Sequence, residues 1–307
     1  MRQLLKDGEN WRLKLGDCIE HMPTMPPQSV DFAVFSPPFP SLYAYTSESA
    51  DIGNSEGLDG GDAKLHLSFF YNQMLRILKP GRVMAVHVAQ IPRMKRAGEQ
   101  GLRDFRGMNI RLAERAGFQF DYDWLVRKNP QAQAIRGKAW ELKFQGIETD
   151  RTMSRGTLGD YLLKFRVPGE NAIPVVNEEV TRNNWIDWAE GCWGDVQETD
   201  TLNVTEGRSE SDTKHICPLQ LEVIRRLILL YSNPGEIVFS PFAGIGSEGY
   251  MALGGKSPKT GRCVAIPRRF YGCELKPEYY AVAGRNLGRA VAQSEASKQS
   301  SLFSEAV

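Results

Sequence analysis

The order of hydrophobic and polar positions predicts strands that alternate with helices at both ends of the chain. Short apolar runs that end in polar residues indicate strands, and apolar spacings of three and four residues indicate helices. We predict strands at 11–17, 30–36, 82–89, 118–128, 235–240 and 270–275, and helices at 67–78, 108–117 and 218–232. This alternation predicts an α/β fold with an open, doubly wound parallel sheet.

The alternation is lost between about 130 and 213. That stretch carries short strand-like pieces such as "GDYLLKFRV", many polar residues and the aromatic-rich "NNWIDWAEGCW". We therefore predict one α/β domain built from residues 1–129 and 214–290 and interrupted by an inserted region, 130–213. Residues 291–307 are polar, and we expect them to form a disordered tail.

The composition is that of a globular protein. The 307 residues are 41% hydrophobic and 24% charged, enough for a large domain with an insertion. No apolar run reaches the length of a membrane span, and the N-terminus lacks the apolar core of a signal peptide, so we expect a cytoplasmic protein that does not cross a membrane. The 5 cysteines and 4 histidines show no ligand spacing, and no zinc site is expected.

Charge is unevenly distributed, although the net charge is only +1. Residues 76–166 contain 19 Lys and Arg against 9 Asp and Glu, whereas residues 167–212 contain 2 against 11. The pattern predicts one basic surface, with an ordinary solvated face as the alternative.

A glycine motif, "GIGSEG" (244–249), directly follows a predicted strand and opens a helix. Glycines let the backbone approach a ligand, and the start of a helix presents unpaired N–H groups. Glu274 ends the next strand, where a carboxylate can accept both hydroxyls of a ribose; a surface carboxylate is the alternative. Only about 60 residues follow Gly246, too few for the second half of a dinucleotide fold. A ligand with one ribose, such as S-adenosylmethionine, is therefore favoured over a nicotinamide dinucleotide.

A second motif, "SPPF" (36–39), ends the buried strand at 30–36. Each proline pushes the preceding residue into extended geometry and lacks an N–H, so this elbow offers acceptors such as Ser36 Oγ and the Pro37 carbonyl. Phe39 supplies a flat face for stacking, worth about 1–3 kcal/mol per base in single-strand complexes. The elbow suits an aromatic amine and requires no strong general base, because a sulfonium methyl group is already activated. A proline-rich strand end with a core Phe is the alternative.

Together these motifs resemble the beta class of S-adenosylmethionine-dependent DNA amino-methyltransferases, in which an Asp/Asn/Ser-Pro-Pro-aromatic motif precedes the glycine motif. Here "SPPF" comes first and "SPFAGIGS" (240–247) comes late, which is that circularly permuted order. The resemblance covers about 10–128 and 213–288. It implies a Rossmann-like sheet, S-adenosylmethionine as cofactor and double-stranded DNA as partner. The catalytic residues that it implies are Ser36, Pro37, Pro38 and Phe39.

The resemblance also implies a cofactor site. "LGDCIE" (15–20) matches the adenine-binding segment, "KHICPLQL" (214–221) the segment that lines the methionine moiety, and "GCEL" the segment with the ribose-binding acid. The glycine motif commonly starts with Asp, so an acidic contact to the methionine ammonium is missing here or supplied from elsewhere. The cofactor residues implied are Asp17, Cys18, Ser36, His215, Ile216, Pro218, Ser240, Pro241, Phe242, Ala243, Gly244, Gly246, Glu274 and Leu275.

The inserted region is then expected to recognise the DNA target. Its first part is basic with interleaved aromatics, which suits phosphate contacts and base-edge readout, and its acidic part is expected to face away from DNA or towards a second subunit of a homodimer. The Gly- and Ser-rich loop at 40–62 is expected to help hold an extruded base, with a loop of no role as the alternative, and "WLVRKNP" (124–130) resembles the strand that borders the base pocket. The expected DNA-binding residues are Tyr43, Tyr45, Lys128, Arg136, Lys138 and Lys143.

The sequence thus predicts a site-specific DNA methyltransferase that acts on N6 of adenine or N4 of cytosine in a flipped-out base. A leading Ser in the catalytic motif is associated with cytosine, whereas the larger stacking area of a purine favours adenine; we give adenine a small preference. Two alternatives stay open: the same chemistry on RNA or a protein amide, and a DNA-binding module with a decayed cofactor site, suggested by Ser240. The sequence gives no sign of whether a restriction partner exists.

Overall fold

The computed structural model describes residues 5–40, 61–93, 101–137, 147–153, 156–202 and 219–305. Its strands are β1 (Leu5–Gly8), β2 (Trp11–Leu15), β3 (Val30–Phe35), β4 (Leu78–Ala89), β5 (Ile91–Pro92), β6 (Leu102–Arg103), β7 (Gln119–Val126), β8 (Asp160–Arg166), β9 (Cys192–Trp193), β10 (Ile237–Ser240) and β11 (Arg269–Glu274). Nine of them form one sheet in the order β1-β2-β11-β10-β3-β4-β8-β7-β9, and β5 pairs with β6 in a small ribbon.

Helices cover this sheet. They are α1 (Cys18–His21), α2 (Gly61–Ile77), α3 (Phe105–Ala116), α4 (Pro130–Gly137), α5 (Arg182–Trp188), α6 (Leu221–Tyr231), α7 (Ser247–Ala252) and α8 (Pro277–Glu305). Short 3-10 turns lie at Met22–Thr24 and Arg151–Met153. Among the described residues, no helix has the length and apolarity needed to cross a bilayer.

The centre of the sheet is parallel. β2, β11, β10, β3 and β4 all run in one direction, whereas β8 runs antiparallel to both β4 and β7. Parallel strands end at the same edge of a sheet, and this is where open α/β folds bind ligands. We call this the carboxyl edge; it carries the residues that follow β2, β11, β10, β3 and β4. Because β8 is antiparallel, its first residue, Asp160, lies at the same edge.

Successive residues of the central strands face opposite sides of the sheet, and each side packs into its own hydrophobic core. Phe32 and Val34 of β3 face a core shared with α6, α7 and α8, while Ala33 and Phe35 face a core shared with α2 and α3. A strand places successive side chains on opposite faces, so a fully apolar strand such as β3 is buried on both sides. The predicted doubly wound α/β fold is confirmed.

The predicted strands and helices outside the middle region all occur, with ends shifted by a few residues. One difference is that β4 already begins at Leu78, so "LKPG" (78–81) lies within this strand rather than between the predicted helix and strand. Val30 pairs with Leu78 and Phe32 with Val83, a register shift that accommodates this segment. Gly81, with φ of +71°, adopts the left-handed conformation there.

The region 130–213, predicted as an insertion, contributes to the sheet from Asp160 onward. β8 lies inside the sheet between β4 and β7, and β9 pairs with β7. Trp188 and Trp193 are buried in the core that includes Phe32. The strand-like "GDYLLKFRV" thus forms part of the sheet. The polar sequence around it has no regular pattern from which this position could be predicted.

The tail at 291–307, expected to be disordered, is helical as far as the chain is described. Helix α8 continues to Glu305. Gln293 Oε1 accepts hydrogen bonds from the Tyr250 hydroxyl and from the Lys256 amide, each within 2.9 Å, and Ser294 is buried. These contacts dock the polar segment against the loop after α7, which its composition alone does not indicate.

Candidate active site

The glycine loop, residues 241–246, leaves β10 at the carboxyl edge and enters α7. Gly244 and Gly246 have φ angles of +54° and +86°, which strain any side chain. A Cβ at Gly246 would lie 3.2 Å from Ala283 Cα, so the loop also packs closely on α8. The loop is tied to β11 by the Ala243 amide, which donates to the Cys273 carbonyl at 2.8 Å.

Glu274 connects three segments at this edge. Its Oε2 accepts from the Gly244 amide at 2.7 Å, and its Oε1 accepts from the Lys276 amide at 2.8 Å. Its carbonyl accepts from the Gly16 amide at 2.9 Å. The sequence-predicted positions Gly244 and Glu274 are therefore adjacent, and the end of β2 lies beside them.

Asp17 begins α1 immediately after that contact. Its Oδ1 accepts from the Ile19 amide at 2.8 Å, which is the geometry of a helix N-cap. Burial raises the pKa of Asp17 above its usual value, and Glu20 adds to the effect. Cys18 is buried behind it, and burial raises the pKa of its thiol as well.

A third carboxyl group, that of Glu248 in the first turn of α7, lies close enough to Glu274 for the two charges to interact. Two buried hydroxyl oxygens, Ser240 Oγ and Ser247 Oγ, have no hydrogen-bond partner among the described residues. Buried polar groups are normally satisfied, and carboxyl groups with raised pKa values are stabilised as anions by a cation. A polar, positively charged ligand fits these donors and acceptors.

Glu248 provides a test of this electrostatic description. It is 5% exposed, and burial together with Glu274 raises its pKa to about 8. As the pH rises from the ordinary value of 4.5 towards 8, the unfolded chain releases the proton while the folded protein retains it, so stability falls through this window. We expect Glu248→Gln to raise the free energy of unfolding of the ligand-free protein at pH 7 by at most about 3 kcal/mol, since one pKa unit is about 1.4 kcal/mol.

Denaturant titrations at acid and neutral pH measure the effect. The gain should shrink towards zero as the pH approaches 4.5, and Glu278→Gln, at an exposed position of α8, should give no gain at either pH. A gain for Glu248→Gln that is equal at both pH values would contradict the buried carboxyl group.

The elbow at Ser36 lies beside the glycine loop because β3 and β10 are neighbours. Phe242 of the loop packs against Phe35 and Phe70, with ring centroids 5.8 and 5.1 Å apart. Phe39 lies 5.2 Å from the ring of Phe105 at a tilt of 45°, so one side of it rests on α3. Phe39 and Phe242 thus pack against the same hydrophobic core.

Ser36 is also the first member of a polar chain that the sequence did not reveal. Its Oγ lies 2.7 Å from His87 Nδ1. His87 Nε2 lies 3.1 Å from Asp160 Oδ2, at an angle outside that of a good hydrogen bond. Asp160 Oδ1 accepts from Lys128 Nζ at 2.5 Å. Asp160 is buried, and although burial alone would raise its pKa, His87 and Lys128 lower it.

The alternation of the strands explains why these four side chains meet. Ser36 continues the face of Phe32 and Val34, and His87 continues the face of Val83 and Ala85. Asp160 shares its face of β8 with Leu162. A histidine in the otherwise apolar "VMAVHVA" was visible in the sequence, but its partner was not, because the position of β8 in the sheet was unknown.

The remaining sequence-predicted residues fall into three groups. Cys18, Pro241 and Ala243 are buried, and Leu275 is half-buried, around the glycine loop and Glu274. Lys128 is paired with Asp160 and only 17% of its side chain is exposed, so its charge is used within the site. Outside the described residues lie Tyr43, Tyr45, Lys138, Lys143, His215, Ile216 and Pro218, and the side chain of Arg136 is not described either.

Solved structures share this fold. TTHA0409 of Thermus thermophilus, described as a candidate DNA modification methylase and solved with S-adenosyl-L-methionine, has a TM-score of 0.61 at 20% identity, covering 91% of this chain and 95% of that one. The cytosine-N4-specific PvuII DNA methyltransferase has a TM-score of 0.63 at 17% identity, covering 91% and 86%. At these identities the likeness establishes the fold alone.

The sequence comparisons differ in outcome. No curated protein matches the sequence. Residues 30–285, however, match the family of N6/N4 DNA methylases. The matched segment contains the elbow at Ser36, the glycine loop and Glu274. The chain therefore belongs to the N6/N4 DNA methylase family.

Proposed function

We propose that this protein transfers a methyl group from S-adenosylmethionine to an exocyclic amine of a base flipped out of double-stranded DNA. The main support is that the acceptor elbow at Ser36, the glycine loop and Glu274 lie next to one another at the carboxyl edge of the sheet. An exocyclic amine is paired and out of reach inside a duplex, so the base has to leave the stack.

The cofactor site is proposed around the buried carboxyl groups. Glu274 is assigned to the ribose hydroxyls and Asp17 to the adenine, while the loop that contains Gly244 and Gly246 is assigned to the methionine part. The cofactor supplies an activated methyl group on a positively charged sulfur. The surrounding carboxyl groups with raised pKa values, Asp17 and Glu248, suit that positive charge. Glu248 also offers an acid near the loop in which Ser240 replaces the usual Asp.

The elbow is proposed to position the target base. Ser36 Oγ and the Pro37 carbonyl accept the two hydrogens of the amine, and the exposed side of Phe39 stacks on the ring. Acceptors on both hydrogens favour the rehybridised nitrogen as it forms a bond to the methyl group. Alignment in a site from which water is excluded then supplies most of the rate.

The choice of base and the permuted, beta-class assignment belong to this proposal. A neutral Ser36 can serve either amine, and Phe39 can stack on either ring. The larger ring system of adenine gives more stacking area, and we therefore place N6 of adenine ahead of N4 of cytosine. Arg136, Lys138 and Lys143 are proposed to contact DNA phosphates, with the acidic residues 167–212 turned away from DNA or against a second subunit.

A cofactor titration tests the enzyme against its main alternative. Calorimetry with the purified protein should give micromolar binding of S-adenosylmethionine and of S-adenosylhomocysteine, because the carboxyl groups and the glycine loop are intact. A DNA-binding module with a decayed site would bind DNA but neither of these compounds, and that result would contradict the proposal.

A further inference from the structure

Binding an amine does not require the whole polar chain, which consists of Ser36, His87, Asp160 and Lys128. Two acceptors at the elbow suffice to hold the two hydrogens, yet a histidine and a carboxylate are buried behind one of them. His87 is 8% exposed and Asp160 is 3% exposed. Burying ionisable groups is costly unless they are paired, so this arrangement suggests a role in moving charge.

The direction of the hydrogen bonds follows from the charges. Asp160 is ionised, since the pKa of its carboxyl group is lowered by His87 and Lys128 despite burial. A carboxylate only accepts, and at 3.1 Å it favours a proton on His87 Nε2 even though the angle is not ideal. Nδ1 then carries a lone pair, and the Ser36 hydroxyl donates to it across 2.7 Å.

We propose that His87, oriented by Asp160, takes the proton that leaves the methylated amine, with Ser36 as the intermediate carrier. The inference rests on the proposed function and deepens it. His87 acts through Ser36 and is a positioning residue, whereas Ser36 contacts the substrate.

The step balances in atoms and charge. The N–C bond forms as the S–C bond breaks, which leaves the base nitrogen with two hydrogens, a methyl group and a positive charge. One N–H bond then breaks and its proton moves to Ser36 Oγ, while the proton of Ser36 moves to His87 Nδ1. The imidazolium is stabilised by Asp160 until its proton passes to solvent. A weak base suffices because the cationic amine is a strong acid.

The rate of methyl transfer should depend on pH if His87 takes part in the relay. Ser36 contacts His87 from the end of β3 and Asp160 contacts it from β8, while Lys128, in the segment after β7, is paired with Asp160. Only a neutral imidazole can accept the proton of Ser36, so a relay through His87 makes the rate of methyl transfer depend on pH.

A first experiment needs no activity. Nitrogen NMR of protein labelled with ¹⁵N-histidine, with the signals of His87 assigned by their loss in His87→Asn, reports which ring nitrogen carries the proton. The relay requires the proton on Nε2 at neutral pH. A proton on Nδ1 would make His87 a donor to Ser36, so it could not take the proton of Ser36, and this result would overturn the inference.

A second experiment measures single-turnover methyl transfer to duplex DNA across pH at saturating cofactor. In His87→Asn the amide oxygen can still accept from Ser36 but cannot be protonated, and we expect at least a tenfold slower rate and a changed pH profile. Asp160→Asn removes the carboxylate beside His87 Nε2 and should also slow the transfer. His21→Asn, which removes a buried histidine bonded to Tyr271, is the control and should keep the wild-type profile.

The outcomes separate the two proposals. If wild-type protein methylates DNA and His87→Asn shows the same rate and pH profile, the relay is wrong while the proposed function stands. If wild-type protein binds the cofactor and DNA without transferring a methyl group, the proposed function fails, and the relay that rests on it falls as well.

Discussion

Replacing Glu274 with alanine is expected to weaken S-adenosylmethionine binding by about 10- to 150-fold. The change removes the proposed contacts to both ribose hydroxyls, and hydrogen bonds to a charged group contribute about 1.5–3 kcal/mol. It also removes the acceptor that holds the Gly244 amide at 2.7 Å and the Lys276 amide at 2.8 Å, so the glycine loop loses its anchor on β11. Isothermal titration of the purified variant measures the loss directly.

Two further variants separate these effects. Glu274→Gln keeps an oxygen that can accept from one of the two amides but lacks the negative charge, and it should lie between wild type and alanine. Glu278→Ala, at an exposed carboxylate in the first turn of α8, should bind as wild type does. Wild-type affinity in Glu274→Ala would show that the ribose does not bind here.

Substitutions at the elbow are expected to cause a large loss of methyl transfer with nearly unchanged cofactor affinity, because the adenosine of the cofactor is assigned to Glu274 and Asp17 and not to the elbow. Ser36→Ala removes the acceptor for the amine and the contact to His87, and removal of a positioned proton-transfer group typically costs about 100-fold or more. Phe39→Leu keeps an apolar contact with Phe105 but removes the flat face, and the loss of base stacking should cost about 5- to 150-fold. Single-turnover rates and cofactor titrations measure the two quantities separately.

Phe69→Ala is the matched control for the aromatic substitution. Phe69 lies on α2 and is 56% exposed, so its loss should change neither rate nor affinity. Full activity in Phe39→Leu and Phe39→Ala would rule out stacking, and a fall in cofactor affinity equal to the fall in rate would move Phe39 from the base pocket to the cofactor site.

Local patterns in the sequence were sufficient to predict the parallel strands and the functional residues at their ends. The apolar run before Ser36, the strand that ends at Ser240 and the strand that ends at Glu274 each carry their functional residue at the carboxyl end. Because such ends meet at one edge, the proximity of Ser36, Gly244 and Glu274 followed from secondary structure alone. The contact between Glu274 and Gly244 is the structural counterpart of that inference.

The polar chain behind Ser36 depends on information that local patterns do not contain. Asp160 reaches His87 only because β8 enters the sheet antiparallel between β4 and β7. Strand order is decided by packing between distant segments, and the polar surroundings of β8 gave no sign of it. Helix α8 is a similar case, since contacts of Gln293 with Tyr250 and Lys256 order a segment of low hydrophobicity.

The most direct measurement identifies the product. Purified protein is incubated with duplex DNA of mixed sequence and S-adenosylmethionine that carries an isotope-labelled methyl group, and the DNA is digested to nucleosides for mass spectrometry. We expect label on an exocyclic amine, as N6-methyladenine ahead of N4-methylcytosine. N4-methylcytosine alone would reverse the preferred base. Label on a ring carbon, or no labelled nucleoside from protein that binds both cofactor and DNA, would contradict methyl transfer to a base amine.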